Sequence, residues 1–308
     1  MPKSSGPEVE CVLLRRSITG ECPVWCDEEQ VLYWVDVQEP ALHRFDPATG
    51  EDRSWTMPAW IGSFGLGAGD RAGSAVVALR TGVHRFDFAS GTLDLLATAP
   101  FDSRRFFLND GACDRQGRFW VGPMYRPLPP VSDLPEAERR GPLCRLDGRA
   151  LIPATAPVGI ANGLAWSPDG RTMYHADTAD GVVFRYEFDP DMATLANRRV
   201  FARLDAEEGG PDGAAVDRDG FYWIARFGGG RLARFDPDGK LEREIALPVR
   251  YPTMCAFGGA DLSTLYVTSA GWALNDMERE RHPLEGSLFA LEAPVPGLPA
   301  GRWPGAAG

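Results

Sequence analysis

No apolar run in this chain approaches the ~18 residues that a membrane-crossing helix needs, so a helical span is not expected. The opening MPKSSGPEVE lacks the basic-then-apolar order of a signal peptide, which argues against export. Positive charge is in deficit: 32 Lys and Arg face 43 Asp and Glu, for a formal charge of −11. That balance repels a nucleic-acid backbone or an anionic membrane, and neither is expected as a partner. The six cysteines (Cys11, Cys22, Cys26, Cys113, Cys144 and Cys255) are irregularly spaced, and Cys22 and Cys26 have no second Cys or His pair nearby. They read as free thiols in a reducing compartment rather than disulfides or a zinc site, which implies a cytoplasmic protein. Also missing are a G-x-S-x-G elbow, an H-E-x-x-H helix and a G-x-x-x-x-G-K-[ST] loop. The four histidines are scattered; His43 and His84 share a repeat position beside Arg44 and Arg85 and read as structural. His175, within a strand, reads as packing.

What the chain does have is a repeat. A β-rich strand, a turn and a strand ending in Arg–aromatic–Asp recur through 32–50, 75–91, 118–148, 172–190, 221–239 and 264–294. The Arg anchors are Arg44, Arg85, Arg145, Arg185 and Arg234, and the sixth copy has degenerated to LFAL. Strands rich in Val, Tyr, Trp and Phe at spacings of roughly 40 to 60 residues signal a β-propeller. DPATG, FASG, SPDG and DPDG are its hairpin turns, where Asp and Pro initiate and Gly supplies positive φ. DPDG at 236–239 lacks the spacing and closing Glu of an EF-hand calcium loop. The expected fold is all-β: one six-bladed β-propeller of four-stranded antiparallel blades over 1–308, with its core at about 10–294. One insert, 125–141, breaks the rhythm of the third unit. Its DLPEAERR stretch is expected to form a short helix with Asp133 as N-cap; the insert itself reads either as an inert loop or as a lid.

Four units carry a polar residue at one phase: Glu21, Asn109, Asn162 and Asp212, each about ten to thirteen residues before an aromatic-rich second strand. In a propeller that phase lies on the innermost strand, whose end opens onto one face of the central channel. The equivalent segments of the other two units, Ile61-Gly62-Ser63 and Met254-Cys255, are less polar and would form wall. Any one of the four polar residues alone would pass for a turn or cap. Together, two carboxylates and two amides make an oxygen-lined pocket of charge −2, suited to one divalent cation such as Ca²⁺, Mg²⁺, Mn²⁺ or Zn²⁺. Without a cation, Glu21 and Asp212 would repel each other and one would take up a proton.

The same residues resemble the gluconolactonase/regucalcin (senescence marker protein) family from about Glu10 to Phe289. GECPVW carries the family's metal-binding Glu, while LNDG, IANGLAWSPDG and PDGAAVD match its other site motifs. YHADT, FGGGRLARFDPDGK, CAFGG and LYVTSA follow in the family's order. The resemblance implies a divalent metal (Ca, Zn, Mn, Mg or Fe(II)) bound through Glu21, Asn162 and Asp212. It places Asn109 in the same shell and against substrate, and makes Asp212 the catalytic base. It further implies hydrolysis of a small-molecule sugar lactone to the open aldonic acid; separately, a monomer or weak homo-oligomer is expected. Two departures bear on the substrate: Phe107 stands where many members have Arg, and Arg126 stands where regucalcin-like members have Glu. Phe107 and Arg126 are therefore taken as substrate-contacting candidates. Two alternatives use the same four residues: phosphotriester hydrolysis, towards which Phe107 leans, and a non-catalytic calcium-binding regulatory role.

Overall fold

The computed structural model describes residues 7–129, 134–271 and 274–304. Its strands form six four-stranded antiparallel sheets. The innermost strand of each is Gly20–Cys26, Ile61–Leu66, Phe106–Cys113, Ala161–Trp166, Gly210–Val216 or Pro252–Gly258, which define blades 1 to 6. Each innermost strand packs on the next, and that of blade 6 packs on that of blade 1, closing a ring. The architecture is the six-bladed propeller expected from the repeat.

Blades cohere because the second strand is buried on both faces and the third carries the recurring cation. Val31–Asp36, Ser74–Leu79 and Tyr222–Phe227 are almost wholly buried. Each anchor Arg stands opposite a second-strand residue: Tyr33↔Arg44, Val76↔Arg85, Trp120↔Arg145, Tyr174↔Arg185 and Trp223↔Arg234. In blade 6 the same place pairs Tyr266 with Ala290, which is where the repeat lost its cation. The most buried anchor is Arg234. Its guanidinium donates twice to Asp217 Oδ2 (2.9 and 2.7 Å), which also accepts the Trp223 indole N–H at 2.9 Å. Asp217 is fully buried, so its charge is balanced inside the blade.

Two features lay beyond the repeat. Blade 6 borrows its outermost strand from the other end of the chain: Glu10–Leu13 pairs with Leu288–Glu292, locking the ring. After that blade the chain crosses the mouth of the channel opposite the candidate site. Pro296 accepts from Arg218 N (2.9 Å), Arg302 pairs with Glu28 (2.9 Å), and Trp303 exchanges backbone hydrogen bonds with Leu66 and Ala68. Blades 5, 1 and 2 are thus strapped together.

The expected helix of the 125–141 insert is reduced to one 3-10 turn, Glu136–Glu138, led by Pro135 rather than by a capping side chain. Proline at that place has no hydroxyl or carboxylate to receive the turn's free N–H groups. Asp133 lies outside the described residues.

Candidate functional site

Side chains on a regular strand alternate between faces, so two successive residues cannot both reach the axis. All six innermost strands break that rule at one level. Their pairing with the second strand slips between Glu21 and Val24, Ile61 and Ser63, Leu108 and Gly111, Asn162 and Ala165, Pro211 and Ala214, and Pro252 and Cys255. Such bulges re-aim side chains, and here they do so around a ring. Glycine makes the turn feasible in blade 4, where Gly163 has φ +62° and a Cβ would sit 2.5 Å from the Tyr222 hydroxyl. That hydroxyl donates to the Gly163 carbonyl at 2.8 Å, holding blade 5 against blade 4.

The result is a cavity of about 250 Å³ at one mouth of the channel. Glu21, Asn109, Asn162 and Asp212 all line it, as do Phe107 and Arg126. Every candidate residue from the sequence therefore borders a single space. Trp60, Met124, Ile160 and Phe227 add apolar wall, and Thr19, Gln38 and Thr178 add polar rim. Phe107 is buried and meets Trp60 edge to face at 5.7 Å, so it is built into the wall.

A hydrogen-bond chain fixes the amides. Asn109 Nδ2 donates to the Ala161 carbonyl (2.9 Å) and to Asn162 Oδ1 (3.0 Å). Asn162 Nδ2 donates to Thr178 Oγ1 (2.8 Å), whose hydroxyl donates to the Pro211 carbonyl (2.6 Å) beside Asp212. Both amide nitrogens are thereby committed to protein acceptors. Asn109 Oδ1 is left directed away from those bonds, and Asn162 Oδ1 keeps a second lone pair.

Sequence reasoning missed Asp110. Its Oδ2 accepts the Leu164 N–H at 3.0 Å across the gap to blade 4, and the residue is buried. The bulge at Leu108/Gly111 explains it, since it turns both Asn109 and its neighbour inward. The equivalent places after the other polar residues are Cys22, Gly163 and Gly213, so no repeated signal marked the position. The axial group thus holds three carboxylates where two were expected, and its formal charge is −3 when all are ionised.

Burial and mutual repulsion set the proton affinities of this group. Desolvation, then the charge of Asp110, push Glu21 up to about 8, against a single N–H donated by Cys22 at 3.0 Å. Asp212 is held well above the usual carboxylate range, first by burial and then by Glu21 and Asp110. Asp110 rises to about 6 through burial, moderated by the Leu164 and Gly111 amides. Among the described residues no three His, Cys, Asp or Glu side chains are grouped as metal ligands. A cation at this place would therefore draw on the amide oxygens as well as on Glu21 and Asp212.

The model of the SMP-30/gluconolactonase/LRE-like region matches residues 19–271. Among curated proteins, the chain is 42% identical over 293 residues to a 6-deoxy-6-sulfogluconolactonase of Pseudomonas putida, covering 94% of this chain and 96% of that one. It is 34% identical to an L-arabinolactonase of Azospirillum brasilense, over 94% and 93% of the two chains. Among solved structures, the calcium-binding protein regucalcin of Agrobacterium tumefaciens superposes with a TM-score of 0.87 at 27% identity, covering 97% of each chain.

Proposed function

Because the chain belongs to the SMP-30/gluconolactonase/LRE-like family, we propose that it hydrolyses a sugar-acid lactone to the open aldonic acid at the Glu21–Asn109–Asn162–Asp212 cavity. The observation that carries this reading is the meeting of a buried acid (Asp212), a half-buried acid (Glu21) and two oriented amides from four blades in one solvent-open cavity. The donor set fits a divalent cation. The two acids are destabilised by each other and by burial, and the amides present oxygen because their nitrogens are engaged elsewhere. Glu21, Asn162 and Asp212 would hold the cation, with Asn109 beside it. When bound, it would supply Lewis-acid polarisation of the ring-ester carbonyl and offset the negative charge that develops there.

The chain's own groups do the rest. An Asp212 carboxylate oxygen takes a proton from the water that adds to the carbonyl carbon, acting as the general base. As the ring C–O bond breaks, that proton passes to the departing ring oxygen, which becomes a hydroxyl. The net change is lactone plus water to hydroxy acid. Asn109 orients the substrate, and the apolar wall of Trp60, Phe107 and Met124 limits water to the attacking side.

The test is Asp212→Asn, assayed by proton release from gluconic, galactonic, xylonic and arabinonic lactones with spontaneous opening subtracted. Loss of a general base lowers turnover by about 10²–10⁴, while binding of a lactone analogue is largely retained. Turnover equal to the parent's would remove Asp212 from the chemistry.

A further inference from the structure

Resting on the lactonase reading above, we propose that the preferred lactone carries a fixed anion, a sulfonate or a phosphate ester, at the end remote from the ester carbonyl, received by Arg126. The cavity is electrically two-ended. Its floor gathers Glu21 and Asp212, with Asp110 behind them, whereas Arg126 is the cation among the described residues that line it. Arg126 lies at the lip: its backbone N–H donates to the Arg105 carbonyl at 2.8 Å, placing it beside a residue four positions before Asn109 on the same blade. At about 3.3 Å per residue that step is roughly 13 Å along the strand, and an arginine side chain reaching back spans part of it. Arg126 borders the same cavity of about 250 Å³ as Glu21 and Asp212, so one ligand in that space can face both ends.

The wall between the two ends is apolar. Of Trp60, Phe107, Met124 and Phe227, only the Trp60 indole N–H can bond a hydroxyl, too little for a row of them. A single charged contact can anchor a ligand at such an end, because an ion pair gains strength beside low-dielectric wall.

Charge is also concentrated behind Arg126. Leu128 N donates to the Arg104 carbonyl (2.8 Å), and the buried Arg80 guanidinium donates to the carbonyls of Arg104 (3.0 Å) and Arg126 (2.6 Å). Asp102 pairs with Arg104 at 3.0 Å and with Arg105 at 3.6 Å. The Arg80 guanidinium thus sits against the Arg126 backbone and adds buried positive charge at that end of a chain whose overall charge is −11.

The experiment measures kcat/KM for three matched lactones, the neutral parent sugar, its 6-phosphate and its 6-deoxy-6-sulfonate. It is run at low and high salt, with the parent protein, Arg126→Met and Arg126→Lys, after circular dichroism has shown each variant folded. The parent should favour at least one anionic lactone about tenfold or more, chiefly through KM, as charge-assisted contacts do. High salt should compress that preference, Arg126→Met should abolish it, and Arg126→Lys should keep part of it. The better of the two anions identifies the group. A parent that opens all three lactones equally, or an Arg126→Met that keeps the preference, overturns the anion site and leaves the lactonase reading standing. A parent that opens none of the three overturns the anion site, and one that also opens none of the gluconic, galactonic, xylonic and arabinonic lactones overturns the lactonase reading with it.

Discussion

Removing and restoring divalent cations should change the stability of this protein, and the change should depend on pH in a defined direction. In metal-free protein, Glu21 takes its proton far more readily than the usual carboxylate, at about 8 against 4.5. Between those two values the folded state holds a proton that the unfolded state has released. Stability is then fully present below about pH 4.5 and is lost as pH rises through about 8. At about 1.4 kcal/mol per pH unit, that interval amounts to several kcal/mol, to which Asp212 adds in the same direction. A cation seated between the acids reverses the penalty. At a hundredfold excess over its dissociation constant it contributes about 2.7 kcal/mol, and at about 2–4 °C per kcal/mol for a large domain the melting point rises by roughly 5–10 °C. The assay is thermal melting after EDTA and dialysis, with Ca²⁺, Mg²⁺, Mn²⁺ or Zn²⁺ added singly at pH 5 and 8.5. The rise should be larger at pH 8.5, and Glu21→Gln should flatten the pH slope of the metal-free protein. A melting point indifferent to every cation at pH 8.5, or an undiminished cation effect in Glu21→Gln, would refute the reasoning.

Three further outcomes follow from parts of the fold away from the cavity. Asp217→Ala strands the buried Arg234 guanidinium and the Trp223 indole N–H, and should cost about 3–5 kcal/mol in urea unfolding. His175 is fully buried with no hydrogen-bond partner among the described residues on either ring nitrogen, and burial lowers it to about 4. The folded state resists its protonation, so stability should be lost as pH falls from 6.5 towards 4. Compared with His175→Leu over that window, the parent should lose roughly 3 kcal/mol more. Trp303→Ala removes the buried anchor of the strap and should cost about 3–5 kcal/mol; a loss below 1 kcal/mol would mean that the strap is held elsewhere.

The fold was legible because blade strands advertise themselves twice, through alternating apolar residues and through an arginine at a fixed distance from the turn. Arg44, Arg85, Arg145, Arg185 and Arg234 each landed on a third strand opposite a second-strand residue. Glu21, Asn109, Asn162 and Asp212 were legible as a group because periodicity alone set them in phase, and they border one cavity. Asp110 was not, because its inward turn depends on a bulge, which leaves no periodic trace, and its counterparts are Cys22, Gly163 and Gly213. Glu10–Leu13 was hidden for a different reason: its partner Leu288–Glu292 is almost the whole chain away, and a strand's identity is local while its pairing is not. The 125–141 insert showed helix-like composition, but Pro135 stands where a cap was needed.

The pairing of Glu10–Leu13 with Leu288–Glu292 has a consequence for how the molecule is made. On the ribosome the first of these strands emerges early and must wait for nearly the entire polypeptide before its mate appears. Until then the growing ring is an open arc with raw β edges at both limits, the geometry most prone to sticking to a neighbour. Synthesis that halts before Leu288 therefore leaves not a smaller protein but an unsealed one, and prematurely stopped products should accumulate as aggregates rather than as stable five-bladed fragments.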